Sequence, residues 1–293
     1  MRPLLCVLVF AAAATAQQPR PKLTDVPVKT DEVVFKTTPQ GDLKLHLYYP
    51  PGWTAEDRRP AVVFFFGGGW VNGSHLQFKP QAEYLAARGM VVACADYRVA
   101  NQHKTTPDRC VEDAKSAMRY VRGHAAKLGV RPDRIVGAGC SAGGHLAAAT
   151  YFLDGFNDPA DDATVDCRPN ALVLFNPAME VPNRAVKNAA GDDVAAQFWP
   201  TAHLKKADVP VVQFFGSADR LWASGKDFAE KAAKLGVPVE SWLAADQPHG
   251  FFNRPPYTQT TLAKAEAFLV RYGYLTGEST LKVPDDAPVL KRQ

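Results

Sequence analysis

Ala61-Val62-Val63-Phe64-Phe65-Phe66 carries no polar side chain. Successive side chains of a strand point to opposite faces, so a strand apolar at every position must be covered on both. Such a strand belongs inside a parallel sheet with helices above and below it. Met90–Ala95 and Ala171–Phe175 repeat the pattern, and Val209–Phe215 nearly does. Val237–Leu243 reads as a further strand. Helical segments fall between and after these runs, near Leu76–Arg88, Asp108–Leu128, Lys226–Leu235 and Thr258–Tyr272. Thr106 stands at the N-cap position of the second, with Pro107 at its first helical position. Residues 28–38 and 43–49, broken at Pro39-Gln40-Gly41-Asp42, read as an antiparallel hairpin that opens the fold. The alternation predicts an α/β domain with a mostly parallel central sheet and helices on both faces.

One strand-to-helix junction is unusual. Arg134-Ile135-Val136 runs into Gly137-Ala138-Gly139-Cys140-Ser141-Ala142-Gly143-Gly144, followed by the alanine-rich His145–Thr150. Within it lies Gly-x-Ser-x-Gly centred on Ser141. A serine on so sharp a turn takes a strained backbone conformation, and the small Gly139 and Gly143 let strand and helix approach closely. The hydroxyl is then presented above the sheet. A glycine-rich turn with an incidental serine is the plain alternative, and the surrounding segments weigh against it.

Upstream, Ala61–Phe66 ends in Gly67-Gly68-Gly69-Trp70, a loop with few side chains that can turn backbone N–H groups toward a ligand. It lacks the Lys-Ser/Thr ending of a phosphate-binding P-loop, and no Gly-x-Gly-x-x-Gly follows the strand. Downstream, Val209–Phe215 ends in Gly216-Ser217-Ala218-Asp219, and His249-Gly250-Phe251-Phe252 follows the strand Val237–Leu243. The chain order is amide-rich loop, Ser, Asp, His.

These stretches, with Ala95-Asp96-Tyr97-Arg98, resemble the serine α/β-hydrolases of the esterase/lipase group, near the hormone-sensitive-lipase-like and acetyl- or feruloyl-xylan-esterase-like branches. The resemblance covers roughly residues 28–275. It implies an α/β-hydrolase fold with Ser141 as nucleophile, His249 as base and Asp219 as the acid that orients it. It also implies an oxyanion hole made by the N–H groups of Gly68, Gly69 and Ala142. Asp246 and Glu180 are the spare acids. His145 is expected to pack within its helix, and Asp96 and Arg98 to make structural ion pairs or backbone contacts. One position departs from the pattern: many relatives have His-Gly-Gly-Gly, and here Phe66 stands first. The implied reaction is hydrolysis of a carboxylic ester through an acyl-enzyme, with no metal and no organic cofactor. Trp70 and Phe251 are candidate substrate-binding residues, with Phe252, Phe198, Trp199 and Trp222 as further rim aromatics. The implied partner is a small-molecule or oligosaccharide ester, acetylated first and feruloylated second. Two other readings stay open: a peptidase of the prolyl-oligopeptidase kind, and a binding protein that has kept the fold and lost activity.

Composition bounds the rest. With 293 residues, 46% of them hydrophobic, the chain can build one large α/β core. A net charge of +4 without a basic cluster gives no footprint for nucleic acid. The N-terminus reads as a cleaved secretory signal over residues 1–16, with an uncleaved anchor as the alternative: Met1-Arg2, then the apolar Leu4–Ala14, then Ala14-Thr15-Ala16 at the cleavage site. Residues 17–27, with three prolines, read as a loose leader, and no membrane association is expected once the signal is removed. A domain over residues 28–275 follows, with a possible small cap within 176–208 and a C-terminal tail over 276–293. Export permits disulfides, and Cys94, Cys110, Cys140 and Cys167 allow three full pairings. Their spacing lacks the Cys-x-x-Cys pairs of a zinc site.

Overall fold

The structure, a computed structural model, describes residues 21–293. The signal sequence expected over residues 1–16, and the first part of the leader, lie outside the described residues. In chain order the elements are β1 (Lys29–Thr38), β2 (Gly41–Tyr49), β3 (Arg59–Phe65), α1 (Lys79–Ala87), β4 (Val91–Ala95), α2 (Ala100–His103), α3 (Pro107–Gly123), β5 (Val130–Cys140), α4 (Ala142–Phe152), β6 (Ala171–Phe175), α5 (Ala195–Phe198), β7 (Val211–Gly216), α6 (Trp222–Lys234), β8 (Val239–Ala244), α7 (Tyr257–Arg271) and β9 (Lys291–Arg292). Short 3-10 turns occupy His75–Phe78, Pro200–His203 and Phe251–Asn253.

The strands form one sheet in the order β1-β2-β4-β3-β5-β6-β7-β8-β9. From β4 through β8 every pairing is parallel, whereas β1, β2 and β9 pair antiparallel at the edges. This is the mostly parallel α/β architecture expected from the apolar runs. β3 shows why those runs are continuous. Ala61, Val63 and Phe65 enter one hydrophobic cluster with α3, α4 and α6. Val62 and Phe64 enter the other with α1 and α7. Burying a side chain such as Phe65 or Phe214 contributes about 1.5–3 kcal/mol, and both are 0% exposed.

Several local expectations change in detail. Thr106 holds the N-cap position of α3, but its hydroxyl makes no capping bond and α3 ends at Gly123, not near Leu128. Within the expected loose leader, Leu23 is buried against the second cluster. The tail after Thr276 is tied down. Arg88 donates to the carbonyls of Thr276 and Gly277, and Lys291–Arg292 adds the edge strand beside β8. Residues 176–208 hold only α5, a 3-10 turn and one isolated bridge. The four cysteines Cys94, Cys110, Cys140 and Cys167 are buried, and no disulfide joins any two of them. No helix among the described residues is long and apolar enough to cross a membrane.

Candidate active site

Ligand sites of open parallel sheets lie beyond the carboxyl ends of the strands. Five neighbouring strands, β3, β5, β6, β7 and β8, here end in Gly67–Gly69, Ser141, Asn176, Asp219 and the His249 loop respectively. Residues far apart in the chain therefore meet along one edge of the sheet.

Ser141 sits between β5 and α4 at φ 52° and ψ −119°, a conformation that costs a non-glycine residue energy. The turn is held by hydrogen bonds from Ser141 N–H to the Phe175 carbonyl, and from the N–H groups of His145 and Ala178 to the Ser141 carbonyl. The flanking glycines are required by contact. A Cβ on Gly139 would lie 2.4 Å from the Gly143 carbonyl oxygen, and one on Gly143 would lie 2.1 Å from that of Phe65.

His249 Nε2 lies 2.9 Å from Ser141 Oγ, and its Nδ1 lies 2.8 Å from Asp219 Oδ2. The Asp219 side chain is fully buried, and its other oxygen accepts the Leu221 N–H. Asp219, and not the spare acids, therefore faces the imidazole. Asp246 lies on the exposed turn with its N–H bonded to Ser217, and Glu180 lines a separate cavity. A carboxylate accepting from Nδ1–H leaves Nε2 as the acceptor for the serine hydroxyl.

The amide-rich loop adopts left-handed backbone at Gly68, Gly69 and Trp70, with φ of 134°, 65° and 64°. A side chain at Gly68 would collide with the Asn72 carbonyl at 1.9 Å. The Gly68 carbonyl accepts from Val71 and Asn72, whereas no acceptor among the described residues takes the N–H of Gly68 or Gly69. Ala142 N–H belongs to the first turn of α4, where helix donors lack intrahelical partners. Phe66 at the departing position is buried and stacks on Tyr97, 4.1 Å between centroids, while the Tyr97 hydroxyl donates to the Phe66 carbonyl.

The aromatic expectations need correction. Trp70 is 3% exposed and packs edge-on against His145 and Phe198. Phe251 is also 3% exposed and packs on Tyr257. Both are core residues, because the loops that carry the site are themselves anchored by their aromatic side chains. Phe252 and Phe198 are likewise buried, and Trp222 packs on Phe215. Trp199 borders a cavity of about 420 Å³ with Glu180, Val181, Arg184, Asp193 and Ala202.

His145 is buried and bonds the Phe198 carbonyl through Nε2; burial pushes its pKa down to about 3, so the ring is neutral. Arg98 pairs with Asp113, not Asp96. Two features had no signal in the sequence. The Asn176 amide nitrogen lies 3.3 Å from Nε2 and 3.4 Å from Nδ1 of His249. His46, His75 and Asp96 form the one group with metal-like spacing among the described residues. The His46 and His75 rings stack at 3.3 Å, and both face the Asp96 carboxylate.

That cluster is held by charge. His46 faces Glu32 with Nδ1 and Asp96 with Nε2, and carboxylates only accept, so both ring nitrogens carry protons. Burial opposes this charge, but the hydrogen bond and charge of Asp96, aided by Glu32, hold the His46 pKa above its ordinary value. Burial likewise opposes the Asp96 charge, and hydrogen bonds from His46 and His75 outweigh it, lowering that pKa. A raised His46 pKa stabilises the fold fully below the unfolded value and ceases to do so as pH rises through the folded one. Lys44 also bonds Glu32, so the group retains a pH-independent cation. Asp96→Asn should therefore cost about 1.5–3 kcal/mol in urea unfolding near pH 5.5, and clearly less near pH 9. Equal costs at both pH values would refute the charged pair.

Comparison with known proteins bears on the fold and the family. The BD-FAE family matches residues 45–170. Esterase 2 of Thermogutta terrifontis, solved phosphoramylated by tabun, is 41% identical with a TM-score of 0.81, over 85% of this chain and 97% of that one. The same esterase has been solved with propionate bound, at 40% identity and a TM-score of 0.80, over 85% and 96% of the two chains. A probable isoprenylcysteine alpha-carbonyl methylesterase of Arabidopsis thaliana is 36% identical over 243 residues, 74% of this chain and 50% of that protein. Carboxylesterase NlhH of Mycobacterium tuberculosis is 38% identical over 114 residues, 38% of this chain and 34% of its own. The chain thus spans half or less of the length of these two curated relatives, but nearly all of the solved esterase. On that likeness, and on its nine-stranded sheet, the chain belongs to the esterase/lipase group of α/β-hydrolases.

Proposed function

We propose that this protein is a serine carboxylesterase acting on short acyl esters. The observation that carries the reading is the continuous line of contacts from Asp219 through His249 to Ser141 Oγ. It ends beside the N–H groups of Gly68 and Gly69, for which there is no acceptor among the described residues.

A serine hydroxyl is a weak nucleophile until a base removes its proton. His249 Nε2 accepts that proton as Ser141 Oγ adds to the ester carbonyl. Asp219 holds the Nδ1–H tautomer and stabilises the imidazolium that forms. The carbonyl oxygen becomes an oxyanion facing the N–H groups of Gly68, Gly69 and Ala142, whose donors are already oriented. His249 then gives its proton to the departing alcohol, and water, deprotonated by the same ring, releases the acid. Asn176 braces the imidazole through both steps.

A structure of the Thermogutta esterase phosphoramylated by tabun, and others with propionate and butyrate bound, support a short acyl group. We assign acetyl as the first acyl group and feruloyl as the second, carried on a carbohydrate alcohol. We further propose export, with the mature chain beginning after Ala16; its N-terminal mass would check this. Hydrolysis of a p-nitrophenyl series from acetate to decanoate tests the acyl preference. Decline beyond butyrate is expected, and a maximum at decanoate would sink the short-acyl assignment.

Within the same reading, Asp219→Asn should leave the fold intact and lower kcat by about 10⁴-fold through the wrong histidine tautomer. A loss under tenfold would indicate that another acid orients His249.

A further inference from the structure

Three loops must hold their spacing for the site to work: the one bearing Gly68 and Gly69, the turn bearing Ser141, and the one bearing His249. A single side chain touches all three. Gln77 Oε1 accepts the Gly67 N–H at 2.7 Å and the Cys140 thiol at 3.2 Å. Its Nε2 donates to Asn253 Oδ1 at 3.3 Å, and Asn253 Nδ2 donates to the Gly250 carbonyl at 3.1 Å. Gly67 adjoins Gly68, Cys140 adjoins Ser141, and Gly250 adjoins His249.

The chain of bonds has a fixed direction. Gly67 N–H can only donate and the Gly250 carbonyl can only accept, so neither carboxamide between them can flip without losing a bond. Burial raises the Cys140 pKa to about 12, which keeps its thiol protonated as a donor. The backbone beneath Gln77 is also held. The 3-10 turn His75–Phe78 is capped by Ser74, and Phe78 stacks on Phe64 of β3 and on Phe252 beside the histidine loop.

We propose that Gln77 is a positioning residue whose one carboxamide sets the distance between the oxyanion amides, the nucleophile turn and the base loop. The inference rests on the esterase reading of Ser141. Gln77 touches neither the substrate nor the reacting atoms, and it acts through Gly67, Cys140 and Asn253. A device of this kind favours the transition state over the bound ester, since the oxyanion exists only there.

The test uses the full chain, with active sites counted by covalent titration with a fluorophosphonate. Gln77→Ala should lower kcat/KM for p-nitrophenyl acetate by about tenfold to a hundredfold per active site, the scale of a small misplacement. KM should stay within about twofold, since ground-state binding is untouched. Binding of a trifluoromethyl ketone, which forms the tetrahedral adduct, should weaken by the same factor, and binding of propionate should not. Gln77→Glu supplies a second readout. A protonated carboxyl reproduces the acceptor and donor of the amide, whereas a carboxylate loses the donor toward Asn253. The ratio of its kcat/KM to that of the parent chain should therefore rise toward one as pH falls, while the Gln77→Ala ratio stays flat.

Unchanged kcat/KM per titrated site in Gln77→Ala would overturn the proposal. So would a loss accounted for by fewer active sites or by KM alone. Failure of the underlying reading looks different: Ser141→Ala would then retain the parent rate, whatever Gln77 does.

Discussion

Ser141→Ala is expected to lower kcat for p-nitrophenyl acetate by about 10⁴- to 10⁶-fold, leaving only what the oxyanion amides and binding provide. The reason is geometric. Ser141 Oγ lies 2.9 Å from His249 Nε2, and an alanine removes the hydroxyl that the base would deprotonate. Stability should not fall with activity, because Ser141 holds a left-handed backbone and its side chain makes no helix-capping bond. Rates from stopped assays beside urea unfolding curves separate the two effects. Equal rates in both proteins, with matching unfolding midpoints, would remove Ser141 from the chemistry. His249→Ala should give a loss of similar size, and the double variant little more than either alone, since the groups act as a unit.

The second large effect concerns folding. Gly143→Ala places a methyl group 2.1 Å from the Phe65 carbonyl oxygen and 2.3 Å from that of Phe66. Alanine gains about 1 kcal/mol over glycine in a helix, but overpacking against atoms that cannot rotate away costs about 3 kcal/mol. A net loss of about 2 kcal/mol is expected. Activity should fall beyond what stability explains, because the obstructed carbonyls belong to the end of β3 that leads into Gly68. Gly155→Ala is the contrast: no atom lies within 4 Å of its Cβ position, and a change within about 0.5 kcal/mol is expected. Equal unfolding midpoints for the two variants would refute the close-approach account of the nucleophile turn.

Much of the site could be read from the chain because it is local. The turn at Ser141 needs glycine on both sides at short range, so Gly139 and Gly143 announce it. Ser141, Asp219 and His249 each follow an apolar run or a strand-like segment, and strand ends are where a parallel sheet presents its functional groups. The aromatic residues were misread for the same local reason. Trp70 and Phe251 adjoin functional positions, but adjacency does not say whether a side chain faces the site or anchors its loop, and here both anchor.

What stayed hidden depends on sequence-distant neighbours. Gln77 and Asn253 are 176 residues apart and meet because β3 and the His249 loop share one end of the sheet. Asn176 reaches His249 because β6 lies between β5 and β7. His46, His75 and Asp96 converge from β2, a 3-10 turn and the end of β4.

By itself, then, the sequence determined the layered α/β class, through runs apolar on both faces, and named the three residues that line up at the site. The tertiary structure alone decided which aromatics are core and what braces the loops. Hydrophobic periodicity is written residue by residue, whereas hydrogen bonds between loops depend on the order in which strands are laid side by side.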